Sequence, residues 1–383
     1  AAANWYPAEA DGEQAKALAK SKKDATTTTV DNAAEQASSQ VSAEYYNLNT
    51  LKAFAALAKL SYCGASSGVV KSIQATCSTK QGLCADAGFG VVPNTVVSKG
   101  VEYQSQLTEP YYMADTLYFF TALIRRTNST FAAAPYFMPS EACVLVFRGT
   151  NNLQNSDMNK DVTMVPLNDS DCQGCEASNG TLNAWIEALE APVMAALKTS
   201  GCSPTAAQET SQNVFIAGHS MGGTMATLAM YMLQKKGFNV QLSWSMEGGR
   251  PGNMALMSYL NNQAFPQRQV PFWQTTHLND MIPRTGESAL SQNSTKLFGR
   301  SEYQVHFNNS DATQHVLCTD DDEASSRCGI YQFTRAQLDA TIPGPAHCAL
   351  PFAPAGQMCM MAQTTNTQLY GLAYQCFYGG SIR

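Results

Sequence analysis

One serine is distinguished by the residues around it. Residues 218–223 read Gly-His-Ser-Met-Gly-Gly, with Ser220 in third place, between an apolar run at Val214–Ala217 and a helix-forming run at Gly222–Lys236. A sharp turn from a strand into a helix needs glycines beside the serine, because side chains there would clash. The pattern predicts that Ser220 is a nucleophile. It also predicts that the backbone N–H of Met221 and the start of the helix stabilise a developing oxyanion.

A serine nucleophile needs a base, and the base needs a carboxylate that orients it. In a site built on such a turn, the acid and then the histidine follow the serine along the chain. Asp280 follows a strand-like run at Phe272–His277, where an acid would leave the carboxyl edge of a sheet. Two of the five histidines, His219 and His277, lie next to these groups; the candidate bases are the other three, His306, His315 and His347. By its position in a loop near the C-terminal end His347 is preferred, and the other two stay open.

The composition excludes some classes of protein and favours a secreted one. The 383 residues carry a net charge of −6, which gives no electrostatic basis for binding nucleic acid. No run of eighteen apolar residues indicates a membrane span. Twelve cysteines and five Asn-x-Ser/Thr sequons favour disulfides, glycans and an extracellular location. The sequons begin at Asn128, Asn168, Asn179, Asn293 and Asn308.

The chain divides into an extension and one domain. Residues 1–44 are rich in Ala, Thr, Lys and Asp and predict an N-terminal extension, partly helical or disordered. From residue 45 onward, strand-like and helix-like runs alternate up to residue 383. The run Cys143–Phe147 is apolar throughout, as expected for a strand covered on both faces. We therefore predict an α/β fold with a mostly parallel central sheet and helices on both faces.

At this point the motifs resemble a known family, the class 3 lipases, and within it the feruloyl esterase A branch. Residues 144–150 read Val-Leu-Val-Phe-Arg-Gly-Thr and resemble the end of that family's FRGT strand. The serine turn is similar to the family's GHSLG, with Met221 in place of Leu. The stretches around Asp280 and His347 are similar to those that bear the family's acid and base. The resemblance implies an α/β-hydrolase fold, a triad of Ser220, Asp280 and His347, and Thr150 as the second oxyanion donor.

The resemblance also implies a set of disulfides. Cys172 and Cys175 resemble a Cys-x-x-Cys bridge of the feruloyl esterases, and two further pairs are implied: Cys63 with Cys376, and Cys318 with Cys328. The remaining six cysteines are open, with Cys77–Cys84 favoured; they are Cys77, Cys84, Cys143, Cys202, Cys348 and Cys359. No spacing of metal ligands is visible, so neither a metal nor another cofactor is expected.

Two departures from the family bear on function. A Gly-x-Pro-Arg-x-Gly-Asn motif is altered, reading Gly-Gly-Arg-Pro-Gly-Asn at residues 248–253. Residues 151–163, where lipases carry an apolar lid, hold little apolar material beyond Leu153, Met158 and Val162. A lid that opens on lipid should expose a broad apolar face. We therefore expect a secreted, monomeric ester hydrolase acting on soluble or short-chain esters. Two alternatives remain: a lipase or phospholipase in transient contact with a lipid surface, and a non-catalytic binding protein of the same fold.

Overall fold

The computed structural model describes a large part of the chain. The described residues are 46–63, 70, 73–74, 77, 83–103, 115–127, 141–149, 161, 163–202, 204, 213–263, 273–280, 282–284, 303–309 and 313–318. The predicted extension over residues 1–44 lies outside them, and so does its boundary with the domain. The proposed division of the chain therefore stays a prediction.

The described elements alternate between strands and helices after the first third of the chain. The α-helices are α1 (Leu48–Leu60), α2 (Leu83–Asp86), α3 (Asn179–Asn183), α4 (Glu190–Thr199), α5 (Met221–Lys235) and α6 (Met254–Ser258). The strands are β1 (Phe89–Val91), β2 (Val97–Tyr103), β3 (Asp115–Arg126), β4 (Glu141–Phe147), β5 (Met164–Pro166), β6 (Glu176–Ser178), β7 (Asn213–His219), β8 (Asn239–Val240), β9 (Trp244–Met246), β10 (Trp273–His277), β11 (Gln304–Phe307) and β12 (His315–Cys318). Wide helical turns cover Ala184–Leu189 and Tyr259–Gln263, and 3₁₀ turns cover Ser61–Cys63 and Ile282–Arg284.

A ten-stranded sheet organises the described part of the chain. Its strand order is β1-β3-β4-β7-β9-β10-β11-β12, with β2 beside β3 and β8 beside β7. The central strands β4, β7, β9, β10 and β11 are parallel, whereas β3 and β12 run antiparallel to their neighbours. Since parallel strands place their carboxyl ends at one edge, the loops that follow β4, β7 and β10 meet there.

Successive residues of the central strands enter two separate cores. In β4, Leu145 packs into one hydrophobic cluster and Val144 and Val146 into the other. In β7, Ile216 joins the first cluster and Phe215 the second. The first cluster includes α3, α4 and α5, and the second includes α1. Because side chains of a strand alternate between its faces, both faces of the sheet are covered, as the continuous apolar runs predicted.

The long helix before β7 is continuous but not uniform. Residues 179–199 run from α3 through a wide turn into α4. Pro192 follows the wide turn and lacks the N–H that would continue the α-helical hydrogen bonds, which accounts for the irregularity at this place. Within the described residues, no helix is both long and apolar enough to cross a membrane.

The chain between α5 and α6 forms two short strands, β8 and β9, rather than one continuous strand. Both pair with β7, and residues 241–243 separate them. Between them the hydroxyl of Ser243 donates to the carbonyl of Gln241 at 2.9 Å and accepts from the N–H of Ile216 at 3.3 Å. The side chain thus takes the place of a backbone partner, which a periodicity argument does not detect.

Three disulfides lie within the described residues. Cys172–Cys175 and Cys77–Cys84 form as expected, and Cys143 pairs with Cys202, a pairing that stayed open in the sequence. This last bridge ties the start of β4 to the end of α4 across 59 residues. Closing a loop of that length stabilises a fold by about 4 kcal/mol in the chain-entropy picture. Cys318 is also disulfide-bonded, and its predicted partner Cys328 lies outside the described residues. The other predicted pair, Cys63 with Cys376, has both side chains outside them.

Candidate active site

The serine turn has the geometry of a nucleophile on a strained bend. Ser220 joins the end of β7 at His219 to the start of α5 at Met221, with φ of 58° and ψ of −129°. Residues other than glycine rarely adopt a positive φ, and such strain gathers at functional sites. A Cβ on Gly218 would lie 2.0 Å from the carbonyl oxygen of Gly222. The predicted strand–turn–helix is confirmed, and only glycine fits at this position.

Hydrogen bonds fix the backbone of the turn. The N–H of Ser220 donates to the carbonyl of Met246 in β9 at 2.9 Å. Its carbonyl accepts from the N–H groups of Gly223 and Thr224 in the first turn of α5, at 2.8 and 3.1 Å. The serine is therefore anchored to the neighbouring strand and to its own helix, which leaves few ways for the turn to relax.

The end of β4 runs directly beside the nucleophile. A Cβ on Gly149 would lie 2.0 Å from the Tyr62 hydroxyl and 2.9 Å from the Cβ of Ser220. Thr150, the predicted second oxyanion donor, is the next residue and lies outside the described part of the chain. Met221, the predicted first donor, is buried at the N-terminus of α5. The end of β4 and the start of α5, which would supply the two oxyanion donors, are thus adjacent in space.

The predicted acid lies at the same edge of the sheet. Asp280 follows β10, is 2% exposed, and accepts a hydrogen bond from the N–H of Ile282 at 3.0 Å. Its N–H donates to the carbonyl of His277 at 2.9 Å. Since β10 is two strands from β7, the strands that precede the acid and Ser220 are about 10 Å apart. That separation leaves room for one imidazole ring between them.

Two of the three candidate bases are described, and both lie far along the sheet. His306 in β11 pairs with Thr276 through its Nδ1 at 2.9 Å, and His315 in β12 pairs with the Tyr46 hydroxyl through its Nε2 at 2.7 Å. These strands are three and four places from β7, or about 14 and 19 Å. Neither ring can reach Ser220 from there. His347 lies outside the described residues and remains the candidate base.

A buried network behind the turn was not anticipated from the sequence. The Tyr62 hydroxyl accepts from the N–H of Gly149 and pairs with Nδ1 of His219 at 2.7 Å. Nε2 of His219 lies 3.4 Å from Oε2 of Glu247, which follows β9 and is fully buried. Burial first, and the nearby charge of Asp280 second, raise the pKa of the Glu247 carboxyl well above its usual value.

A simple count along the altered motif would have pointed to this residue. In Gly-x-Pro-Arg-x-Gly-Asn the first glycine stands three places before the arginine, and three places before Arg250 stands Glu247. The backbone of Glu247 has φ of 51°, which is where glycine is the usual choice. The substitution is therefore a glutamate at a glycine position, inside the site.

The rest of the altered motif joins loops around the site. The Nε–H of Arg250 donates to the carbonyl of Pro283, just beyond Asp280, at 3.1 Å. The Asn253 side chain accepts from the N–H of Leu256 and donates to the carbonyl of Gly174, beside the Cys172–Cys175 bridge. The Arg and Asn of the motif thus keep structural roles in spite of the changed residues before them.

Part of this chain resembles known proteins in sequence. The model of the family described as Lipase (class 3) matches residues 144–288. The secreted mono- and diacylglycerol lipase A of Penicillium cyclopium is 31% identical over 145 residues, which is 38% of this chain and 43% of that protein. The secreted mono- and diacylglycerol lipase 1 of Fusarium solani is 30% identical over 144 residues, 37% of this chain and 38% of that protein. The chain thus spans about two fifths of the length of these relatives.

A solved structure extends the likeness in fold. Lipase II from Rhizopus niveus superposes with a TM-score of 0.50 and 17% identity, covering 82% of this chain and 97% of that one. At this identity the match concerns the fold, and it agrees with the expected mostly parallel sheet of an α/β-hydrolase. The part matched by the family model contains Ser220 and Asp280, with the strands that carry them.

Proposed function

We propose that this chain is a secreted serine carboxylic ester hydrolase of the class 3 lipase family, whose model matches residues 144–288. The observation that carries the proposal is the position of Ser220. It lies at a strained bend between β7 and α5, with the buried Asp280 two strands away at the same edge. A strained serine between a strand and a helix N-terminus is suited to attack a carbonyl carbon and to stabilise the resulting oxyanion.

The proposed reaction proceeds through an acyl-enzyme. His347 takes the proton of the Ser220 hydroxyl as its oxygen attacks the ester carbonyl, while Asp280 orients the imidazole. The N–H groups of Thr150 and Met221 hold the oxyanion. The alcohol then leaves with the proton from His347, and a water molecule, activated by the same histidine, releases the acid. The steps need only these side chains and water.

The substrate class is proposed from the polar segment 151–163. Of this segment the structure describes Asp161 and Thr163, whose carbonyls accept from the N–H groups of Gly180 and Asn179 at the start of α3. The apolar residues of the segment lie outside the described part. Because they are few in the sequence, we favour soluble or short-chain esters over a lipid surface.

A second substrate class is favoured by the relatives. Two of them are named as secreted mono- and diacylglycerol lipases, so partial glycerides are the main alternative. The same Ser220, Asp280 and His347 would serve for both substrate classes. The length of the acyl chain therefore distinguishes them.

Hydrolysis of p-nitrophenyl esters from acetate to palmitate tests the choice. We expect kcat/KM to peak at short chains and to change smoothly as the substrate concentration passes its solubility limit. A peak at long chains with a sharp rise above that limit would contradict the short-chain proposal and establish a lipase. Hydrolysis at no chain length, by protein with intact disulfides, would contradict the hydrolase proposal itself.

Secretion is proposed from the disulfides and the relatives. The three described bridges, Cys77–Cys84, Cys143–Cys202 and Cys172–Cys175, are of a kind that persists in oxidising compartments. Both quoted relatives are named as secreted proteins. We place the chain outside the cell on these grounds.

Glycan mapping gives a prediction for the three described sequons. Asn168 and Asn308 are exposed, and Asn308 lies in the connection from β11 to β12. Asn179 is half-buried, and its side-chain amide donates to the Asp161 carboxylate at 2.6 Å. In protein secreted from a eukaryotic host, mass spectrometry after enzymatic deglycosylation should find Asn168 and Asn308 converted to Asp and Asn179 unchanged. Substantial conversion at Asn179 would show that this contact opens before glycosylation.

A further inference from the structure

Glu247 occupies a backbone conformation that suits glycine. Its φ of 51° lies in the left-handed region, where a side chain is strained. Its N–H donates to the carbonyl of Thr275 at 3.1 Å and to the hydroxyl of the same residue at 3.2 Å. The neighbouring strand therefore holds the conformation. A strained non-glycine residue beside the serine turn indicates that its side chain has a function.

The Glu247 side chain reaches the residue before the nucleophile. Oε2 lies 3.4 Å from Nε2 of His219, whose other ring nitrogen pairs with Tyr62. Since the Tyr62 oxygen accepts from the N–H of Gly149, we assign the Tyr62 proton to the contact with Nδ1 of His219. The ring proton then lies on Nε2 and faces Glu247. One chain of contacts thus links the end of β4, the serine turn and the end of β9.

The charges around this carboxyl are those of the site. Among the described residues, it faces His219 at the end of β7 and Asp280 after β10. Tyr62 lies at the other ring nitrogen of His219, and the charge of Arg148 acts on Tyr62. His219, Glu247 and Asp280 are 2%, 0% and 2% exposed. Two ionised carboxylates in a space closed to water repel each other, so one of the two keeps its proton. Burial and the nearby charge of Asp280 both favour the protonated form of the Glu247 carboxyl.

We propose that Glu247 is a positioning residue that stays protonated at neutral pH, holding the His219 ring behind Ser220 and leaving Asp280 as the single buried carboxylate of the site. The inference rests on the proposed function, because a single charge beside the base matters only in a Ser-His-Asp hydrolase. With one carboxylate, the affinity of the base for its proton is set by Asp280 alone. The neutral Glu247 fills the space at the turn without adding a second charge.

The pH dependence of stability decides the protonation state without reference to activity. The reference variant is Glu247→Gln, of the same shape and without a titrating group. In the unfolded chain Glu247 ionises near pH 4.3, whereas in the folded protein it keeps its proton to higher pH. Above that pH, the unfolding equilibrium constant of the wild type should therefore rise relative to Glu247→Gln, by up to tenfold per pH unit. A ratio of the two unfolding constants that stays flat or falls above that pH would mean that Glu247 is ionised in the folded protein, and would overturn the proposal.

Two further variants serve as controls for this measurement. Glu247→Gly restores the residue that the motif carries and suits the positive φ, so it should fold even if the glutamine variant does not, and the comparison with wild type keeps the same sign. Glu187→Gln removes an exposed carboxylate and should show no such trend. A trend of equal size in that control would mean that net charge is responsible, and would also overturn the proposal.

The kinetic measurement tests the positioning role. For Glu247→Gln we expect kcat/KM within about threefold of wild type near neutral pH, with the acid limb of its pH profile unmoved. Glu247→Ala should lose about tenfold or more, since His219 loses its neighbour. A fall of the acid limb by half a pH unit or more in Glu247→Gln would mean that a charge had been removed, contrary to the proposal. If no variant and no wild type hydrolyses esters, the proposed function fails, while the stability measurement still decides the state of Glu247.

Discussion

Replacing Ser220 by Ala should lower kcat on a p-nitrophenyl ester by about 10⁶-fold, as expected when a serine hydrolase loses its nucleophile. What remains is the stabilisation of the oxyanion and the binding of the ester. The fold should persist, because the anchors of the turn are backbone groups: the N–H of residue 220 to Met246, and its carbonyl to Gly223 and Thr224. Steady-state kinetics with circular dichroism on the same sample measures both effects.

The matched control for this variant is Ser245→Ala, in the strand next to β7. Ser245 in β9 is equally buried and donates its hydroxyl to the carbonyl of Gly223 at 3.0 Å. Ser245→Ala should cost about 1 kcal/mol of the free energy of unfolding, the usual value of one hydrogen bond, and keep most of the activity. A fluorophosphonate probe should label the wild type and Ser245→Ala but not Ser220→Ala. Residual hydrolysis by Ser220→Ala above about a hundredth of wild type would contradict the nucleophile assignment.

The parts of the fold that were predictable are those with strong local patterns. The apolar runs of β4 and β7 predicted strands buried on both faces, and both cores receive their side chains. The glycines around Ser220 predicted a sharp bend because a Cβ at Gly218 collides with the backbone. The position of Asp280 followed from the edge of a parallel sheet. In each case one physical constraint acted on residues close together in sequence.

What escaped prediction depends on contacts between distant segments. The Cys143–Cys202 bridge joins two elements 59 residues apart, and spacing cannot rank such pairings. The break between β8 and β9 depends on one hydroxyl, that of Ser243. Glu247 escaped because its role depends on His219 and Asp280 from two other strands. The altered motif indicated a change at this place, but only the fold shows that a carboxyl lies behind the nucleophile.

Replacing His347 tests the proposed base of the triad. Of the five histidines, His219 is buried behind the turn, and the Nε2–H of His277 donates to the carbonyl of Asn309 at 2.6 Å. His306 and His315 lie on strands three and four places from β7, so their rings are too far away to take the proton of Ser220. His347 is the candidate that remains, and we propose it as the base.

His347→Ala should therefore lower kcat/KM by about 10⁶-fold, close to the loss from removing the serine itself, because members of a triad act as a unit. His306→Gln and His315→Gln should keep activity within about tenfold, since their losses come through packing against Thr276 and Tyr46. Combining His347→Ala with Ser220→Ala should lower the rate little further, which is the signature of two groups serving one step. If His306→Gln or His315→Gln instead matched the serine variant, the base would belong to the far strands. The loop that follows β10 would then have to fold back across the sheet edge to bring Asp280 beside it.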